Sequence, residues 1–200
     1  AIAIGTASGE QSQGAYSLAL GPFSGRTQQG PLCVAIGTNA GSLLQATGSV
    51  AIGNRSGRTS QGLECVAIGV ESGSSSQEQY GISIGSRSGY LNQGYGSVAI
   101  GRQSGNNQQG QYCTAIGFAS AQTSQGNDSI AIGRYAGRFQ QGNDSIAIGR
   151  EAGITSQHNN SIIINATGTP LNSDSANRFY VSPVRPISSG TNNRLVYNSG

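Results

Sequence analysis

Two aspartates, Asp128 and Asp144, stand sixteen residues apart, each preceded by Asn and followed by Ser. If that spacing is one turn of a stacked coil, their carboxyls lie about 5 Å apart. That is the separation of the carboxyl pair in a retaining glycosidase, and it also suits a shared cation. The competing reading is a pair of copied turn residues eased by nearby Arg134 and Arg150. The single histidine, His158, falls in a turn and reads as a surface residue. Cys33, Cys65 and Cys113 are separated by 32 and 48 residues, two and three such turns. At about 4.8 Å per turn their Cα atoms are too far apart for a disulfide, which needs about 7 Å or less. They read as small buried stand-ins for Ser. Five Asn-x-Ser/Thr sequons, at Asn54, Asn127, Asn143, Asn159 and Asn165, are possible glycosylation sites. Nothing else groups into a nucleophile, base or ligand set. No catalytic residue, cofactor or metal is assigned beyond the two aspartates as weak metal candidates, and the chain is not expected to be an enzyme.

These residues are positioned by a repeat. Ser145-Ile146-Ala147-Ile148-Gly149 recurs as Ser129–Gly133, Ser97–Gly101 and Ser49–Gly53, and with Cys first as Cys33–Gly37 and Cys65–Gly69. Copies begin at residues 1, 17, 33, 49, 65, 81, 97, 113, 129 and 145, a period of 16, and a decayed copy starts at Ser161. A short, fixed period of this kind predicts a solenoid. The expected fold is all-β: a parallel β-roll with 16-residue coils. Residues 1–160 form ten repeats, 161–176 a degenerate terminal coil, and 177–200 a hairpin-like β cap or connector.

Within each repeat, position 2 is Ile, Leu, Val or Thr and position 4 is Ile or Leu, while position 3 is Ala in nine of the ten copies and Ser83 in the other. Neighbouring strand residues face opposite sides. Positions 2 and 4 therefore share one face, expected to fill the coil. The Ala column (Ala3, Ala19, Ala35, Ala51, Ala67, Ala99, Ala115, Ala131, Ala147) is expected to meet other chains at a trimer interface. Position 5 is glycine throughout (Gly5, Gly21, Gly37, Gly53, Gly69, Gly85, Gly101, Gly117, Gly133, Gly149), which implies positive φ or close backbone approach at a first corner over positions 5–7. A second strand is expected over positions 8–13. It ends on a constant glutamine (Gln13, Gln29, Gln45, Gln61, Gln77, Gln93, Gln109, Gln125, Gln141, Gln157) whose amides can bond coil to coil as a ladder. Gly usually follows at position 14 as the second corner. The variable positions 6, 7, 10, 12, 15 and 16 carry most of the charge and should be solvent-facing.

Composition narrows the classes further. Gly numbers 32 and charged residues are only 10%, but the glycines sit in fixed columns, which argues against low-complexity disorder. A net charge of +3 is too small and dispersed for a nucleic-acid footprint. No run of 18 apolar residues suits a membrane helix, so no membrane insertion is expected. The chain opens mid-pattern on Ala1-Ile2-Ala3-Ile4-Gly5, as a fragment of a longer or processed chain would. A thin coil buries little apolar area against the roughly 1–2 kcal/mol that ordering each residue costs. Association of chains, closed by three-fold symmetry, is the natural remedy.

The Ser-Val/Ile-Ala-Ile-Gly run, followed by a small residue and Gly, resembles the head repeat of trimeric autotransporter adhesins, which are left-handed parallel β-rolls. That repeat is shorter and lacks the constant Gln-Gly. A closer resemblance is to fibre proteins of large DNA viruses and phages, carried by Ala-Ile-Gly…Gln-Gly repeats, by Ser161–Gly168 and Phe179–Arg185, and by the following Arg194-Leu195-Val196-Tyr197-Asn198. It covers essentially the whole chain. It implies a left-handed homotrimer on the virion or cell surface, outside the cell, often upstream of a self-cleaving intramolecular chaperone of the endosialidase type. It also implies a structural and adhesive role as a fibre shaft or head that binds a host-surface receptor or glycan. An ice-binding solenoid is a rival, since Thr27, Thr59, Thr123 and Thr155 share position 11, but no two of them are in adjacent coils. A carbohydrate-active tailspike is another. The C-terminal segment has two strand-like stretches, at Phe179 and Val181 and at Leu195 and Tyr197, with Pro183 and Pro186 limiting their pairing to edges.

Overall fold

The computed structural model describes residues 1–184. It contains strands only, β1 (Ile2–Ile4) to β22 (Phe179–Ser182), arranged as a β-solenoid. Each of the ten coils contributes one strand at positions 2–4 and one at positions 11–13. The first set builds a 12-stranded sheet, completed by β21 (Ile162–Asn165) and β22, and the second a 10-stranded sheet. All pairings are parallel, and all but that of β21 with β22 are in register by one repeat: Val50, Ala51 and Ile52 lie opposite Val66, Ala67 and Ile68, and Gln45 lies opposite Gln61.

The sequence predicts a second strand over positions 8–13, but it spans only positions 11–13. The reason is backbone conformation. Positions 5, 7 and 9 have positive φ, as at Gly53 (128°), Arg55 (57°) and Gly57 (48°), and so the first corner extends to position 10. Position 12 is also left-handed, as at Ser60 (54°), so the middle of the second strand does not pair with its neighbour. These left-handed residues turn the chain while keeping amides aimed along the stack. Coil-to-coil bonds therefore continue around the corners, from Arg55 N to Thr38 O (2.9 Å) and from Gly57 N to Ser72 O (2.9 Å). Position 5 demands glycine twice over. Its φ of 106–131° lies where only glycine is comfortable. A Cβ at Gly37 would also sit 2.7 Å from the Gly53 carbonyl oxygen.

The packing overturns the expectation about strand faces. Ala19, Ala35, Ala51, Ala67, Ala99, Ala115, Ala131 and Ala147 are fully buried inside a single chain, so the alanine column cannot be a trimer interface. Ala3 belongs to the same column but lies exposed in the first coil. The aliphatics at positions 2 and 4 point outward instead; Ile68, Ile132 and Ile148 are 36–38% exposed. Within the ten glutamine-bearing coils the interior is too narrow for them; the terminal coil, without that glutamine, buries Ile163 at position 3. Beyond the first coil these ten coils hold Ala or Ser83 at position 3, Ser, Cys or Gly81 at position 1, Ser or Ala at position 8, and the glutamine.

That interior is largely polar and must satisfy itself. Each glutamine Nε2 donates to the position-2 carbonyl of its own coil, as from Gln93 to Ile82 O (2.9 Å), and commonly to the position-1 carbonyl of the next, here Ser97 O (3.0 Å). The predicted ladder exists only as separate pairs, from Gln29 to Gln45, from Gln61 to Gln77 and from Gln109 to Gln125. Five glutamine Oε1 atoms lack a partner. In the one coil with Ser83 in place of alanine, the serine hydroxyl donates to Gln93 Oε1 at 2.7 Å.

At the C-terminal end β22 pairs parallel with β21, Ile162 opposite Phe179. It thus extends the first sheet over the last coil as the expected cap. Asp174 is held there by Arg178 (3.3 Å) and by the Tyr180 hydroxyl. The expected partner strand around Leu195 and Tyr197, and with it the hairpin, lies outside the described residues.

Candidate functional site

The cysteines replace serine at position 1 in function as well as size. Ser49 Oγ donates to Gly62 O (2.6 Å), and Cys65 Sγ makes the same bond one coil on, to Glu78 O (2.9 Å). All three cysteines are free and buried. Burial pushes the thiols of Cys65 and Cys113 up to about 11, against an ordinary 9.0, so neither is a reactive nucleophile at neutral pH. His158 tethers the terminal segment: its backbone N–H donates to Ser173 Oγ (2.9 Å) and its Nδ1 shares a hydrogen bond with the same hydroxyl (2.9 Å).

The sequon column has an evident structural role. Asn127 Oδ1 accepts from Gln111 N, Asn143 Oδ1 from Asn127 N, and Asn159 Oδ1 from Asn143 N, each at 2.9 Å. This asparagine stack accounts for the glycine beneath each one: a Cβ at Gly126 would meet Asn143 Oδ1 at 2.5 Å. Asn54, Asn127, Asn143 and Asn159 are exposed. Asn165 drops out as a glycan acceptor, because it is buried and its Nδ2 donates to Arg150 O and Thr169 O.

Asp128 and Asp144 are exposed and follow this stack at position 16. Arg134 and Arg150 do not ease them; both pair with Glu151 on the opposite edge of the coil, at 3.9 and 3.1 Å. Among the described residues no three His, Cys, Asp or Glu side chains gather as a metal site.

What the fold does bring together is an excess of opposite charge on the two edges. The corner at positions 5–10 carries Arg26, Arg55, Arg58, Arg87, Arg102, Arg134, Arg138 and Arg150 against Glu10, Glu71 and Glu151. Eight cations against three anions leave a net of +5. The corner at positions 14–16 carries Glu64, Glu78, Asp128 and Asp144, a net of −4, and no arginine. On the basic edge Glu71 bridges Arg87 (2.8 Å) and Arg55 (3.4 Å), one coil on either side. The Arg87 hydrogen bond holds its carboxyl below the usual value. Arg138 stacks over Tyr135 and Phe139, 4.5 Å from each ring. On the acidic edge, Tyr80, Tyr95 and Tyr112 stack edge to face with centroids 5.3 and 5.4 Å apart. Sequence reading noted charge at the variable positions but missed this segregation. Sorting the charges by repeat position reveals it.

Two faces complete the surface. Positions 2 and 4 expose a continuous aliphatic strip along the first sheet, at 58% exposure at Ile2 and 38% at Ile164. The second sheet is mostly polar, with Leu43, Leu44 and Phe139 exposed on it. Shallow depressions of about 390 and 460 Å³ run along it and its acidic corner, lined by side chains such as Gln108, Gln140, Asn92, Asn127, Asn143 and Ser124. No protein-family model, curated protein or solved structure matches the chain.

Proposed function

We propose that the chain is a structural, non-catalytic segment of an extracellular fibre, on a virion or cell surface. In this reading three copies pack lengthwise through their aliphatic strips and display their remaining surface for multivalent contact. The observation that carries this reading is the strip itself. Two columns of Ile, Val and Leu, interrupted at Thr114, face outward along the ten coils, whose own interior has no room for them. Monomers rarely leave so long an apolar patch bare. Stacked at about 4.8 Å, ten coils make a rod on the order of 50 Å long, suited to a shaft. The threefold count and the fibre context rest on the resemblance to viral and phage fibre proteins, and cyclic closure avoids open-ended association. A host-surface receptor or glycan would meet the amide- and hydroxyl-lined second sheet, whose repeated groups favour avidity.

The test is sedimentation equilibrium of the wild-type chain and of Ile100→Glu/Ile132→Glu. The expected result is a wild-type trimer and a folded variant that stays monomeric, because two charges would be buried unpaired at the strip. A monomeric wild type, or a variant that still assembles, would overturn the reading.

A further inference from the structure

We infer that the basic edge holds a binding site for a linear anionic polysaccharide, one that carries a sulfate or carboxylate on every second sugar. The site lies on a different surface from the second sheet, and it stands whether or not copies of the chain associate. Four consecutive coils build it, over residues 97–160. Their basic corner carries Arg102, Arg134, Arg138 and Arg150 against Glu151 alone, four cations against one anion, a net of +3. Glu151 is engaged by Arg150 (3.1 Å) and Arg134 (3.9 Å). Among the described residues Arg102 and Arg138 have no ion-pair partner.

These cations are held in place by aromatic rings. Arg102 lies over Phe118 (5.5 Å), and Phe118 meets Tyr135 edge to face (5.3 Å). Tyr135 carries both Arg134 (5.1 Å) and Arg138 (4.5 Å). Arg138 also lies over Phe139 (4.5 Å), and its Nε donates to Gln122 Oε1 (2.8 Å). Three rings and three guanidiniums thus form one connected patch. Stacking holds a guanidinium by its face and leaves edge N–H groups for an oxyanion. Gathering like charges costs Coulomb energy that a bound anion recovers. The chain has no lysine, so every side-chain cation is a fork able to grip an oxyanion through two parallel hydrogen bonds.

Spacing points to the polymer. Arg102 and Arg134 share repeat position 6 two coils apart, on the order of 10 Å, and Phe118 holds that position in the coil between. The same two-coil interval separates Arg26 from Arg58 and Arg55 from Arg87. A pyranose ring in an extended chain advances by about one coil's height. Alternate sugars therefore come level with Arg102 and Arg134, and the uncharged sugar between them with Phe118. Nucleic acid fits less well. Arginines cover Phe118, Tyr135 and Phe139, so no bare stack of rings is offered to nucleobases.

The test is isothermal titration of the full chain at low salt. The probes are two hexasaccharides charged on alternate sugars, one by sulfate and one by carboxylate, the uncharged hexasaccharide, and a single-stranded DNA of matched charge. Wild type should bind at least one charged hexasaccharide, and bind it more tightly than the DNA or the uncharged sugar. Arg102→Gln/Arg138→Gln should weaken that binding about tenfold or more, since two charge-assisted contacts are lost. Arg26→Gln/Arg58→Gln removes the same net charge outside the patch and should stay within about threefold of wild type. Arg102→Lys/Arg138→Lys keeps the charge but not the fork and should bind several-fold more weakly. Circular dichroism melts confirm that each variant is folded. A wild type that binds neither charged hexasaccharide, or binds the DNA as tightly, overturns the site. So do equal losses in the two glutamine pairs, or undiminished binding by the lysine pair. Each of these leaves the lengthwise assembly standing.

Discussion

A glutamine amide does the work at position 13 that a packed aliphatic does in most cores. Its Nε2 fastens the first strand of its own coil and, in most coils, the next coil as well, as Gln77 does to Val66 O (3.0 Å) and Gly81 O (2.9 Å). A net hydrogen bond contributes roughly 0.5–1.5 kcal/mol, and an orphaned buried group costs about 1–3 kcal/mol. The amide oxygen is therefore the weak point of the design, and Ser83 shows the local remedy. Ser83→Ala should destabilise the chain by about 1 kcal/mol, because Gln93 Oε1 loses its partner. Ala131→Ser should be neutral or stabilising, because it offers a donor to the unpartnered Gln141 Oε1. Urea titrations of both variants check this pair. The constancy of Gln13 and its equivalents was legible in the sequence. Its bonding was not, since a column of amides cannot reveal whether each bonds its neighbour or the wall. The thiols make a second residue-scale prediction. Folded Cys65 and Cys113 hold their protons to about 11, above the ordinary 9.0. The folded state thus binds protons more tightly, and this contribution to stability is complete below pH 9 and lost as pH rises towards 11. Thermal melts should fall across that window, and the fall should shrink in Cys65→Ser/Cys113→Ser, which keeps the hydroxyl bond found at Ser49.

A three-residue strand alternates, but alternation alone does not say which side is the inside, and here the strand faces are the reverse of the sequence expectation. The larger aliphatics were expected to fill the coil because burying them gains the most. Size settles it the other way. Positions 1 and 3 share a face, and both are small in every coil, opposite small residues at position 8 and a glutamine at position 13. Only Ala, Ser and Cys fit between sheets braced by that amide. Position 2, which accepts Val, Leu, Ile and Thr, and position 4, which accepts Ile and Leu, show the tolerance of a surface. Ala99→Glu should accordingly unfold the chain itself, placing a carboxylate where exposure is 0% and costing several kcal/mol. Ile100→Glu should leave the melting temperature of the isolated chain within a few degrees of wild type, since its side chain faces out. Circular dichroism melts of dilute protein distinguish the two. If Ile100→Glu unfolds and Ala99→Glu does not, the assignment of faces is reversed.

At the scale of the whole molecule the 16-residue period was the most legible feature, because parallel stacking demands that every column repeat. The cap was legible in part: Phe179–Ser182 does close the first sheet, but as a parallel strand added to Ile162–Asn165. Segregation of charge between the edges was hidden until the corners were placed, since edge membership depends on where the chain turns. A stack of near-identical coils has a further consequence. Each coil contacts only its neighbours, so stability is close to a sum of coil and interface terms. Deleting residues 33–48 removes one whole coil and joins Leu32 to Ser49 with every column still in phase. The shortened chain should keep its β-sheet signature and unfold with a urea m-value reduced by about one-tenth, in proportion to the surface it buries. Deleting one residue fewer, 33–47, shifts each later strand by one place against those before it. Ile and Val would then be driven into the narrow interior and Ala out of it, a register error that misplaces every side chain beyond the junction. That variant should fail to fold as a continuous solenoid. If both deletions give equally stable proteins, the stacked columns are not what holds the molecule together.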